Sequence, residues 1–253
     1  MFKALAARFN QGYRTMKYPY GDAPALPSRF RGRPQIDASR CNTDCQQCIE
    51  ICPTAAISRA EGALALDLGR CLFCGKCEEV CPEQALSFTG DHQLAACRRE
   101  DLIVRPDSPA PAFSPSRKLP RFFGKSFKLR QVSAAGCNAC EADCNVLTTV
   151  GWDLGRFGMA FVASPRHADG VLVTGPVSEN MRKALLTTYE AVPAPKLVIA
   201  TGACAISGGV FLDHPEAHNG ADGLLPVDLY IPGCPPHPLT ILDGLLRLIK
   251  VVD

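Results

Sequence analysis

The sequence predicts two domains of different class, a small α+β unit followed by an α/β unit with a parallel sheet. Three observations carry this. The chain has 253 residues, more than the roughly 100 to 200 of one typical domain. Residues 41–57 (CNTDCQQCIEICPTAAI) and 71–86 (CLFCGKCEEVCPEQAL) repeat one another, each closing on Cys-Pro-x-x-Ala and an aliphatic residue. Beyond RPDSPAPAFSPSRKLPR, strand and helix signals alternate, the pattern of a parallel sheet with crossover helices.

At the N-terminus, Phe2, Leu5, Ala6, Phe9 and Tyr13 recur at helical spacing and form one apolar stripe, with Lys3 and Arg8 beside it. Such a helix lies on a membrane surface, docks on a partner or packs on its own domain. Residues 1–40 are basic although the net charge is only +2, a near balance that does not suggest nucleic acid. No run approaches the roughly 18 apolar residues needed to cross a bilayer. MFKALAARFNQGYR has no apolar h-region of a signal peptide.

The chain holds 14 cysteines, and eight form two runs, Cys41, Cys45, Cys48, Cys52-Pro53 and Cys71, Cys74, Cys77, Cys81-Pro82. In such a run three thiolates serve one iron–sulfur cluster, and the fourth, before proline, serves the neighbouring cluster. Cys41, Cys45, Cys48 and Cys81 are therefore assigned to one [4Fe-4S] cluster, and Cys71, Cys74, Cys77 and Cys52 to a second, in a bacterial-type two-cluster ferredoxin domain. Zinc ribbons use separated cysteine pairs, and disulfides need an oxidising compartment. Cys41 and Cys45 are three residues apart rather than two, so the first loop is one residue longer. No cysteine lies upstream, and Cys41 is kept.

Pro106, Pro109, Pro111, Pro115 and Pro120 exclude a helix or central strand and mark an extended linker. The predicted units are an amphipathic arm at 1–36, the two-cluster domain at 37–104, the linker at 105–121 and the α/β domain at 122–253. In the last, Met159 to Ala163, Val171 to Thr174, residues 196–201 and 229–231 read as strands. Ser178 reads as an N-cap, and a final helix from about Leu239 buries Leu242, Leu245, Leu246 and Ile249.

Cys137 and Cys140 precede a helix, while Cys204 and Cys234 follow strands on glycine-rich loops. In an open α/β sheet, ligands bind beyond the carboxyl ends of the strands. These four are assigned to a third [4Fe-4S] cluster. Cys97 and Cys144 fall outside every set and read as buried non-ligands. Glu141 reads first as a solvated residue near a helix start and second as a proton acceptor. His167 and His237 flank the cluster loops, satisfying a nearby carbonyl or donating hydrogen bonds to the cluster. No nucleophile–base pair or open metal site appears, so no catalytic residue is assigned and iron of the clusters is the only metal.

Residues 137–245, with GCNACE, SPRHADGVLVTGPV, GACAISGGVF and YIPGCPPHPLTIL, resemble the small electron-transfer subunit of membrane-bound energy-converting [NiFe] hydrogenases, including formate hydrogenlyase, and its homologue beside the quinone site of complex I. Residues 13–103, with YRTMKYPYG and RFRGRPQID, resemble the two-cluster ferredoxin subunit of the same complexes. Two subunits usually encoded separately are thus joined in one chain. The resemblance implies a flavodoxin-like C-terminal fold with its cluster at Cys137, Cys140, Cys204 and Cys234, nearest a catalytic large subunit. Complex I relatives are expected to carry adjacent cysteines at the first pair, so the two-residue gap favours the hydrogenase branch. The implied function is an electron-transfer subunit of an oxidoreductase complex. Its expected partners are that large subunit, membrane antiporter-like subunits and an electron-donor subunit or ferredoxin. Its expected place is peripheral, on the cytoplasmic face of the inner membrane. The rival readings are a complex I-like quinone oxidoreductase relay and a soluble polyferredoxin-like carrier.

Overall fold

In the computed structural model, residues 2–12, 14–42, 44–60, 62–106, 113–115 and 121–250 are described. The predicted linker at 105–121 lies largely outside them. The first helix, α1 (Phe2–Gln11), buries none of its residues, and Phe2 and Phe9 are 85% and 86% exposed. Tyr13 of the stripe lies outside the described residues. The following residues pack as a strap on the second half of the chain. Met16 N donates to Gly151 O at 3.0 Å, Thr15 Oγ1 donates to Val150 O at 3.0 Å, and the Tyr18 hydroxyl donates to the fully buried Asp243 at 2.5 Å.

The cysteine-rich half contains β1 (Pro34–Ile36), α2 (Gln47–Glu50), β2 (Ile57–Ala60), β3 (Ala63–Asp67), α3 (Lys76–Glu79), β4 (Leu86–Phe88) and β5 (Ile103–Val104). β1 pairs with β4, and β3 lies between β2 and β5, all antiparallel. Each single-turn helix holds the third cysteine of its run, Cys48 in α2 and Cys77 in α3. Pro53 and Pro82 then end each turn, since proline disfavours helical backbone in the residue before it.

The second half contains β6 (Phe127–Ser133), α4 (Ala139–Val146), β7 (Met159–Phe161), β8 (Gly170–Thr174), α5 (Glu179–Ala191), β9 (Leu197–Thr201), α6 (Ala203–Ser207), β10 (Leu229–Ile231) and α7 (Pro238–Leu248). The strands form one parallel sheet in the order β7-β6-β8-β9-β10, the flavodoxin-like order, with the chain reversing direction across the sheet between β6 and β8. β8 and β9 are buried at every position, which explains their unbroken aliphatic runs. Ser178 is the N-cap residue of α5, but its side chain makes no capping bond. Leu242, Leu245, Leu246 and Ile249 are all buried beneath α7. The sequence reading passed over β6, the strand at the reversal point. Lys128, Arg130 and Gln131 interrupt its apolar pattern at half-buried positions.

The two halves share a core. Ala96 bridges to Tyr230 antiparallel through paired backbone bonds of 3.0 and 2.8 Å, extending the sheet at β10. Ala200, Ala205, Ile206 and Tyr230 pack in the same cluster as Leu66, Leu68 and Leu102, and buried Ser207 Oγ donates to Gly69 O at 2.8 Å.

Candidate iron–sulfur sites

Three groups of thiols are assembled. Cys41, Cys45, Cys48 and Cys81 line one cavity of about 650 Å³. Cys52, Cys71, Cys74 and Cys77 line a much tighter one of about 20 Å³. In each, one cysteine comes from the other repeat half, Cys81 in the first and Cys52 in the second.

The repeat also shapes the backbone around the sulfurs. Ala56 N donates to Cys52 Sγ at 3.2 Å, and Ala85 N donates to Cys81 Sγ at 3.2 Å. These are the alanines of the two Cys-Pro-x-x-Ala segments. The residues before them, Ala55 and Gln84, adopt positive φ of 47° and 49°. That conformation costs about 1–3 kcal/mol at a non-glycine residue, and its repetition turns an N–H back onto each sulfur. Phe73 N donates likewise to Cys71 Sγ at 3.3 Å. Such donors favour thiolate over thiol. The motif held this signal, although its role as a sulfur donor was not read from sequence.

The third group forms beyond the carboxyl ends of the strands. Cys137 and Cys140 follow β6, with Cys140 in the first turn of α4, where the positive end of the helix dipole favours a thiolate. Cys204 lies in α6 just after β9, and Cys234 in the loop after β10. The Cys204 thiol, pushed up to about 11 by burial and then by Cys234 and Cys137, accepts from Val210 N–H. Cys140 is raised by burial first and then by Glu141, Cys144, Cys204 and Cys234. Cys234 is raised by burial, then by Cys137 and by Cys74 of the second ring, so the second and third groups are neighbours. Gly202, at φ 91°, lets backbone pass directly beneath Cys140, where a Cβ would stand 2.5 Å from Sγ.

Glu141 is not solvated. It is 6% exposed, with Oε1 accepting from Ser133 Oγ at 2.5 Å and Thr174 Oγ1 at 2.6 Å, and with Oε2 buried and unpartnered among the described residues. The sequence missed this burial because β6 and β8 supply both hydroxyls. His167 is exposed in the turn leading into the start of β8, the sheet edge opposite the cysteines. His237 caps α7, its Nδ1 accepting from Leu239 N at 3.1 Å, between the rings of Phe30 and Trp152. Burial, and then His92, lower its pKa. Cys97 and Cys144 are buried in the apolar core, and burial pushes both thiols up to about 12.

Among the described residues no group of His, Cys, Asp or Glu is gathered tightly enough to hold a single metal ion. The thiols instead lie in groups of four, several of them pushed toward the protonated form by burial and by one another. A cationic polynuclear iron core, which deprotonates the thiols that bind it, fits that donor set.

Residues 137–248 match the family described as NADH ubiquinone oxidoreductase, 20 Kd subunit, and residues 33–92 match a 4Fe-4S dicluster domain. The chain is 42% identical over 133 residues to the probable membrane-bound hydrogenase subunit mbhJ of Pyrococcus furiosus, covering 53% of this chain and 80% of that protein. The chain belongs to the 20 kDa subunit family. Two further relatives lie in different complexes. A subunit of the NADH-quinone oxidoreductase of Citrifermentans bemidjiense is 48% identical over 113 residues, covering 45% of this chain and 66% of that one. Formate hydrogenlyase subunit 7 of Escherichia coli is 40% identical over 129 residues, and the chain spans 51% of its length and 51% of its own. Like other members of the 20 kDa family, this chain is part of an oxidoreductase, here with a dicluster domain in the same polypeptide.

Proposed function

We propose that this chain is the electron-transfer subunit of a membrane-associated, energy-converting [NiFe] hydrogenase complex of formate hydrogenlyase type, carrying electrons to or from a catalytic large subunit. Three [4Fe-4S] clusters would be held by Cys41, Cys45, Cys48 and Cys81, by Cys71, Cys74, Cys77 and Cys52, and by Cys137, Cys140, Cys204 and Cys234. When bound, such clusters supply one-electron redox chemistry. The chain's own residues supply the thiolates, the N–H donors at Ala56, Ala85, Phe73 and Val210, and the buried surroundings that set the potentials. The reach of Cys234 to Cys74 supports a linear path in which the second ring stands between the first and the third group.

The observation that carries the hydrogenase reading is the Cys137-x2-Cys140 pair opening α4, with Cys140 against Gly202 and the dicluster domain fused in front. The complex I-like reading is favoured by the 48% identity to the NADH-quinone oxidoreductase relative. The partners are a catalytic large subunit, membrane antiporter-like subunits and an electron-donor subunit or ferredoxin. Among the described residues no helix is long and apolar enough to cross a membrane, and the exposed stripe of α1 supports peripheral attachment through the complex, on the cytoplasmic face of the inner membrane. The deciding experiment gives the intact complex a low-potential one-electron donor and measures hydrogen evolution and quinone reduction side by side. Hydrogen evolution is expected, lost when Cys137 or Cys140 is replaced. Quinone reduction without hydrogen turnover would transfer the assignment to the complex I-like branch.

A further inference from the structure

Arg59 stands near the end of β2, at the repeat position that Phe88 occupies in the second half. Its guanidinium crosses the first cysteine loop. Nη2 donates to Cys45 O at 3.0 Å and Asn42 O at 3.3 Å and reaches Cys41 Sγ at 3.9 Å, while Nη1 donates to Gly62 O at 3.1 Å. Nε is buried and unpartnered among the described residues. Asp44, Glu50 and Glu83 line the same cavity, but no ion pair joins any of them to Arg59 among the described residues. Among the described residues the positive charge is therefore met by carbonyl dipoles and by the sulfur.

The second half is built differently. Phe88 packs on Phe73 with ring centroids 6.0 Å apart, and the cation beside that loop, Arg31, lies against Gly75 and pairs with Glu79 at 4.0 Å. The symmetry breaks where the first loop has its additional residue. A three-residue gap between Cys41 and Cys45 leaves more backbone to order, and two carbonyls of that loop are gripped by one nitrogen of Arg59.

We infer that Arg59 is a positioning residue for the first cluster: its fork closes the lengthened Cys41–Cys45 loop, and its charge beside Cys41 raises that cluster's reduction potential. Accepting one electron adds one negative charge to the site, and a cation at hydrogen-bonding range stabilises the reduced form more than the oxidised one. This rests on the reading that Cys41, Cys45, Cys48 and Cys81 hold a cluster.

Two variants separate charge from grip. Arg59→Gln keeps amide donors for the loop carbonyls and removes the charge, while Arg59→Lys keeps the charge and removes the fork. The full chain, prepared without oxygen, is assayed for iron and sulfide and titrated electrochemically under EPR detection. For Arg59→Gln the expected result is at least a tenfold fall in the reduced-to-oxidised ratio of the first cluster at fixed potential, about 59 mV for a one-electron couple, with the second cluster unmoved. For Arg59→Lys the potential stays near wild type, while a chelator removes the first cluster's iron faster. An unchanged potential in Arg59→Gln, or an equal shift of both clusters, overturns the inference. If Arg59→Gln loses the cluster, Arg59→Lys decides: a retained potential agrees and a fall overturns. Wild-type iron content showing the first site empty overturns the cluster reading itself, and the inference with it.

Discussion

Replacing Gly202 by alanine puts a methyl group where the structure has room for none. Gly202 adopts φ 91° and ψ 155°, a region populated essentially by glycine, and its added Cβ would lie 2.5 Å from Cys140 Sγ. The backbone strain alone costs about 1–3 kcal/mol. The contact adds more, because Gly202 N donates to Ile231 O at 2.8 Å and Ala203 N donates to Gly233 O at 2.8 Å, so the loop is tied to β10 on one side. The thiol is the part free to give way, and its displacement pulls one of four ligands from the third site. Gly202→Ala is therefore expected to lose one cluster, taking iron from about 12 per chain to about 8, with an equal loss of labile sulfide. Iron and sulfide determination on anaerobically prepared protein, with EPR of the reduced form, reads this directly, the two ferredoxin-type signals persisting. Gly223→Ala is the control, since a Cβ there meets nothing within 4 Å. Full iron with an unaltered third signal in Gly202→Ala would refute the placement of Cys140 as a ligand.

Other outcomes follow from the same geometry. Cys97→Ser and Cys144→Ser should keep all three clusters, although a hydroxyl at the fully buried Cys144 costs about 1–3 kcal/mol if it finds no partner. Loss of the third cluster in Cys144→Ser together with its retention in Cys140→Ser would reverse the assignment. Tyr18→Phe removes a hydrogen bond to the fully buried Asp243 carboxylate and should cost about 1.5–3 kcal/mol, seen as a lower midpoint for thermal bleaching of the clusters. Burial first, and then Asp243, raise the Tyr18 pKa, so this contribution is intact below the ordinary tyrosine value of about 10 and declines as pH rises above it. A bleaching midpoint unchanged in Tyr18→Phe contradicts the strap's role. Deleting residues 2–11 removes a helix with no buried residue and should weaken this chain's attachment to the membrane-bound assembly while sparing its iron content, measured by fractionation; undiminished membrane association would show that the stripe docks elsewhere.

How much of this was legible beforehand depends on how local each feature is. The cysteine runs, the proline after each and the alanine three residues further on are contiguous, so their spacing alone grouped eight thiols into two sets with the fourth members exchanged. β9 and α7 were readable because burial on every side leaves an unbroken aliphatic run in one and a wide apolar face in the other. β6 was not, because its half-buried Lys128, Arg130 and Gln131 conceal a strand that is paired on both sides. Glu141 looked solvated because the two hydroxyls that hold it come from Ser133 and Thr174, 8 and 33 residues away. His167 looked close to the cluster loops because sequence distance ignores which end of a strand a turn occupies.

The amino-acid sequence by itself determined the cofactor class and the two-part architecture, since ligand spacing and strand–helix alternation are short-range patterns. Long-range packing settled the rest. Cys137, Cys140, Cys204 and Cys234 share one edge only because β6, β9 and β10 run parallel in the order that surrounds β8. Ala96 and Tyr230 join the two halves because an open sheet edge has backbone groups to satisfy. Arg59 reaches Cys41 because β2 folds back over a loop 18 residues earlier, a contact that no local pattern specifies.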